Sequence, residues 1–200
     1  MISSGQQRIP IYNMKILGID PGSTRAGYAL IEKTGHNLKL IKGGLLKISS
    51  KDKNVRLLEL SKSFSSLLKK TKPDYVAIEK IFFMKNIKTG IEVAQARGVL
   101  IMTAASRKIP TMELAPSEVK LNITGLGNAD KKLVADMVFK ILKIPKRKML
   151  DDETDAIAIA IAASNQIKWL STIDPAPFAD INSYRSRQIK SKKNFFNKRG

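Results

Sequence analysis

Residues 15–32 read KILGIDPGSTRAGYALIE, and the fold turns on how this stretch is divided. KILGID is a short apolar run ending on an acid, and Pro21-Gly22 directly after it is a turn signal. The run predicts a buried strand over residues 15–20 with Asp20 at its end. RAGYALIE (25–32) predicts a second strand, and LKLIKGGLLKI (38–48) a third, joined to it near Thr34-Gly35. Three strands linked by tight turns predict an antiparallel meander. The chain's one histidine, His36, falls in the second turn and reads as solvated rather than as a ligand.

Beyond the meander the hydrophobic period changes. Leu57, Leu60, Phe64, Leu67 and Leu68 recur at helical spacing within residues 55–70, and Pro73 closes that helix. YVAIEKI (75–81) predicts a fourth strand carrying Glu79, and FFMKNIKTG (82–90) a loop. Residues 91–106 predict a helix rich in small residues, which packs either on a partner or on its own sheet, and residues 111–114 a fifth strand. Asn128 reads as the cap of a helix whose stripe is Leu133, Val134, Met137, Val138, Ile141 and Leu142. Ile157, Ile159 and Ile161 alternate with alanine as a strand would. Alanine is the best helix former, however, and the run through Lys168 is too long for a typical strand. It predicts a helix starting near Asp152. The sum is an α/β layer, a five-stranded mixed sheet flanked by helices. The domain organisation expected is a loose extension over residues 1–13, with Met14 an alternative start, one domain over 14–170, and a flexible basic tail over 171–200.

Lys and Arg total 36 against 17 Asp and Glu, a formal net charge of +19. Such an excess gives a field suited to polyphosphate. Nucleic acid fits better than a membrane, because the chain has no long basic amphipathic helix with an aromatic face and no uninterrupted apolar run of ~18 residues. The absence of cysteine excludes disulfides, thiolate nucleophiles and Cys-based zinc sites, and fits a reducing compartment. The first thirteen residues lack the charged and apolar regions of a secretory signal.

Residues 151–155 read DDETD, four acids in five positions of a strongly basic chain. Like charges so dense repel one another, so a positive species is expected there. Asp152 and Asp155 are three apart, hence on one face of the last helix, in the first turn where the macrodipole favours acids. Asp151 and Glu153 point elsewhere. Helix capping explains Asp152 equally well, whereas Asp155 precedes a nearly all-apolar run and has buried neighbours. Asp20 and Glu79 sit at or near strand ends, and adjacent strand ends bring two such carboxylates together. Each alone is as readily a water-facing charge; once buried, a carboxylate needs a partner or a metal. A cluster of hard oxygens without His or Cys selects Mg2+ or Mn2+ over zinc. Two such ions about 3.5–4 Å apart are the usual device for in-line displacement at a phosphodiester.

Four stretches arrive in order: LGIDPGSTRAGYALI (17–31), DYVAIEKIFFMKNIKTGIEVAQARGVL (74–100), APSEVKLNITGLGNADKKLV (115–134) and DDETDAIAIAIAAS (151–164). With them the chain resembles the RuvC family of bacterial Holliday-junction resolvases over about residues 14–168. GIDPG alone is unspecific, since sugar-kinase and actin-like ATPases and YqgF-type proteins carry similar strand–turn signals. The AIEK and QARGV block with the terminal DxxDA is specific in combination. The resemblance implies an RNase H-like fold, a homodimer, and an endodeoxyribonuclease of recombination and repair acting on four-way junction DNA with two Mg2+ ions, Mn2+ being the alternative. It places the catalytic, metal-holding carboxylates on Asp20, Glu79, Asp152 and Asp155. The DNA-facing lysines fall on Lys120 and Lys131, the second beside the catalytic centre. The junction-facing aromatic falls on Phe82, with Phe83 expected to pack under its loop. A branch-migration helicase is a further partner under this reading. The leader, the tail beyond about residue 170, and Lys80 where a neutral side chain is common depart from the pattern. A YqgF-like nuclease acting on RNA explains GIDPG but not the paired lysines or the Phe82 loop. A non-catalytic binding module leaves the four acids without a purpose.

Overall fold

The computed structural model describes residues 13–81 and 87–173. Its elements run β1 (Asn13–Asp20), β2 (Arg25–Thr34), β3 (Asn37–Lys47), α1 (Lys53–Thr71), β4 (Tyr75–Glu79), α2 (Ile87–Ser106), β5 (Thr111–Leu114), α3 (Pro116–Thr124), α4 (Lys131–Leu142) and α5 (Asp151–Ile173). The strands form one sheet in the order β3-β2-β1-β4-β5. β1, β2 and β3 are antiparallel neighbours, while β4 runs parallel to β1 and β5 parallel to β4. The meander and the mixed five-stranded sheet are as the sequence predicts, and His36 lies exposed in the β2–β3 turn. The chain divides into two compact units, Met1–Ser164 and Asn165–Gly200. The sheet belongs to the first; of the second, only the end of α5 is described. The expected leader up to residue 12, the loop aromatics Phe82 and Phe83, and the tail beyond residue 173 lie outside the described residues.

Side chains alternate across each strand, so the sheet has two distinct faces. Leu17 and Ile19 of β1, Tyr28 and Leu30 of β2, and Val76 and Ile78 of β4 share one core with Leu60, Phe64 and Leu68 of α1 and Leu100 and Ala104 of α2. α1 starts at Asp52, whose side chain accepts from Val55 N at 2.9 Å. It ends at Lys72, in the left-handed region at φ 46°, just before Pro73.

The opposite face carries Gly18 and Gly27, and there α5 approaches to backbone contact. A Cβ on Gly18 would overlap the Ala156 carbonyl, and one on Gly27 would overlap the Asp152 carbonyl. Residues 156–163 of α5 are buried on every side. A helix enclosed all round is apolar all round, which is why its sequence imitates a strand.

Three expectations need correction. Residues 87–90, read as loop, form the first turn of α2. Extending an existing helix gains one hydrogen bond per residue, enough to outweigh a single glycine. The cap of α4 is Asp130, which accepts from Leu133 N at 2.7 Å, and not Asn128. The buried stripe is Val134, Val138, Phe139 and Leu142, and Leu133 is exposed. Finally, α3 has no counterpart in the predicted elements. It begins with Pro116 at its first position, and Glu118 Oε2 accepts from Ala115 N at 2.6 Å.

Candidate active site

The register builds the site. β1 and β4 pair Ile19 with Ile78, so the next residues, Asp20 and Glu79, close two adjacent parallel strands side by side. β1 and β2 pair Asp20 with Gly27. By strand alternation Gly18 and Asp20 share the α5 face. Because Gly27 lets α5 settle to backbone contact, the helix start carrying Asp152 is held over the strand ends. Asp155 follows one turn on. Lys131, the first residue of α4, donates from Nζ to Asp155 Oδ2 at 3.2 Å.

The acids are crowded enough to change one another's chemistry. Burial first, then the charges of Glu79, Asp155 and Asp152, push the Asp20 carboxyl up to about 7, against the pull of Lys131. Burial and then Asp155 push Glu79 up to about 7 as well, while Lys131 and Lys120 act in the opposite direction. Asp155 is the main reason the Lys131 ammonium is held more tightly protonated than usual. Lys120, half-buried on α3, thus reaches the site through its field on Glu79.

The four acids of DDETD divide. Asp152 and Asp155 act on Asp20, whereas Asp151 acts on Lys131 and Glu153 lies against Gly43 of β3. Asp152 forms an ion pair with Arg25 Nε at the start of β2, yet its Oδ2 is buried and accepts no well-formed hydrogen bond. Arg25 is absent from the sequence-derived site. Its one signal was position, five residues beyond Asp20 across a tight turn.

Among the described residues, no three acids meet at coordination distance; Asp152 and Asp155 are each drawn to a cationic side chain instead. The donor set still suits a hard divalent ion. It offers carboxylate oxygens only, two of the carboxylates being groups whose charge the site resists, and one buried oxygen that its cationic neighbour leaves without a well-formed hydrogen bond.

Comparison with known proteins completes the picture. The yeast mitochondrial Holliday junction resolvase, at 16% identity over 82% of this chain and 86% of its own, shares the fold with a TM-score of 0.58. The Thermus thermophilus RuvC, solved in complex with a Holliday junction substrate, matches at a TM-score of 0.73 and 28% identity over 78% of this chain and 96% of that one. The class is therefore the RNase H-like resolvases. The family model described as crossover junction endodeoxyribonuclease RuvC matches residues 16–163. A RuvC of Syntrophomonas wolfei is 44% identical over 162 residues, 80% of this chain and 94% of its own. Another, of Thermosipho melanesiensis, is 42% identical over 151 residues, 74% of this chain and 94% of its own. The chain belongs to the RuvC family of crossover junction endodeoxyribonucleases.

Proposed function

We propose that this chain resolves four-way DNA junctions in recombination and repair by symmetric hydrolysis of two phosphodiester bonds. The observation that carries this reading is the convergence of Asp20, Glu79, Asp152 and Asp155 beside Lys131 on one face of the sheet. Asp20, Glu79, Asp152 and Asp155 would hold two Mg2+ ions, with Mn2+ the substitute. When bound, the ions supply Lewis acidity for an in-line displacement at phosphorus. Water adds to phosphorus, the P–O3′ bond breaks, and the products are a 5′-phosphate and a 3′-hydroxyl.

The protein's own groups do the rest. Lys131 offers a point charge beside the acids, suited to the charge that develops on the scissile phosphate. Lys120 holds the backbone nearby, and Phe82 stacks on an unpaired base at the crossover. Two symmetric cuts in a two-fold substrate call for two sites related by a two-fold axis, hence a homodimer. α2 is the face we assign to it: Ile87, Ile91 and Met102 are exposed there, and Gly98 opens onto free space. The setting is the cytoplasm at the nucleoid, with a branch-migration helicase as a further partner. Among the described residues no helix is long and apolar enough to cross a membrane.

The test is nicking of a mobile four-way junction in Mg2+ by the wild type and by Asp155→Asn. Paired nicks at symmetric positions in opposing strands are expected from the wild type and none from the variant. Single, unpaired nicks would contradict the dimer, and wild-type cleavage by Asp155→Asn would contradict the site.

A further inference from the structure

Two cations answer the two acids of α5 that act on Asp20, and they are not equivalent. Lys131 pairs with Asp155, and its charge also reaches Asp20 and Glu79. Arg25 pairs with Asp152 through Nε and is not among the charges acting on Asp20 or Glu79. It therefore compensates one acid and leaves the strand-end pair unrelieved.

The geometry decides which partner moves. Asp152 cannot follow a cation, because its main chain is pressed against Gly27. The Arg25 side chain is 58% exposed against 24% for Asp152. A pair so open on one side contributes little and exchanges readily. The Arg25 contact also fails to give the buried Asp152 Oδ2 a well-formed hydrogen bond. A divalent ion shared with Asp20 would satisfy that oxygen and both crowded acids at once.

We propose that Arg25 and a divalent cation compete for the Asp152 carboxylate, and that the displaced guanidinium takes a phosphate of the DNA bound at the site. This rests on the metal-holding role assigned above to Asp20 and Asp152. Guanidinium is suited to both partners, since its planar fork matches carboxylate and phosphate alike. Metal loading and DNA grip are thereby coupled: the ion that completes the acidic cluster frees a cation for the backbone beside it. If Arg25 were instead a clamp on the start of α5, its removal would loosen Asp152 and weaken metal binding.

The two roles separate in binding measurements that need no turnover. Mn2+ binding to the DNA-free protein is followed by calorimetry. Four-way junction binding in Ca2+ is followed by anisotropy across a salt series. Both are run on the wild type, Arg25→Ala, Arg25→Lys and Asp20→Asn. Arg25→Ala is expected to bind Mn2+ about threefold to tenfold more tightly. It should bind the junction about tenfold more weakly, with a log–log salt slope smaller by about 1. Arg25→Lys should fall between, keeping the charge but losing the fork. Mn2+ affinity unchanged or weaker in Arg25→Ala overturns the competition, and unchanged junction affinity overturns the phosphate contact. Wild-type Mn2+ binding by Asp20→Asn would sink the metal site itself and this proposal with it. Loss of Mn2+ in Asp20→Asn alongside unaltered binding in Arg25→Ala would sink the proposal alone.

Discussion

Asp20 and Glu79 are placed where their own charge is unwelcome, and that has a measurable sign. Both carboxyls are pushed up to about 7 in the folded protein, whereas in the unfolded chain they titrate near ~4. Between those values the folded state retains protons that the unfolded state releases. Stability is therefore highest below about pH 4 for these two groups and falls as pH rises through about 7. With divalent ions removed by EDTA, the melting temperature should drop between pH 5.5 and 8, and Asp20→Asn should remove much of that drop. At pH 8 the variant should be more stable than the wild type by on the order of 2 kcal/mol, allowing for partial solvent exposure. A melting temperature that rises with pH over this range would contradict the crowding of these acids. Lys131 has the converse role. Lys131→Ala should lower the cleavage rate by about 10²–10³ while leaving junction affinity within about tenfold, because a single charge near the reacting phosphate matters most in the transition state. Equal losses in rate and affinity would make it a plain backbone contact.

At the level of elements, the site depends on how closely α5 can lie on the sheet. Gly27→Ala puts a methyl group into the Asp152 carbonyl. The helix start must lift, which should destabilise the fold by on the order of 3 kcal/mol and abolish cleavage. A wild-type melt and wild-type cleavage in that variant would disprove the backbone contact. The sequence made the meander, β4, β5, α1 and the character of α5 legible, because each is a run long enough for its hydrophobic period to stand out. Asp20 and Glu79 were readable as strand-end acids, and their adjacency followed once β1 and β4 were placed in one sheet. What was not legible rested on tertiary contacts. α3 is nine residues with only Val119 and Ile123 buried, too few to set a stripe, although Pro116 and Glu118 marked its start. In sequence the cap of α4 reads as Asn128, two residues ahead of Asp130, the acid that accepts from Leu133 N. Arg25 was invisible because an arginine opening a strand reads as surface until the helix that brings Asp152 to it is in place.

For the whole molecule, a chain of net charge +19 holds an acidic centre, so affinity for DNA and chemistry on DNA have different electrostatic sources. Junction affinity should fall steeply with salt, by about 10³ or more between 50 and 200 mM if six or more phosphates are contacted. A flat response would remove the basic surface from binding. The acidic centre, by contrast, should decide whether bound DNA is cut. The most direct measurement compares a mobile four-way junction, a linear duplex and an RNA–DNA hybrid, each offered in Mg2+ to the wild type and to Asp20→Asn. The account predicts that the wild type cuts the junction far faster than either linear substrate, and that Asp20→Asn binds the junction without cutting it. Cleavage of the hybrid as fast as the junction, or undiminished junction cleavage by Asp20→Asn, would contradict it.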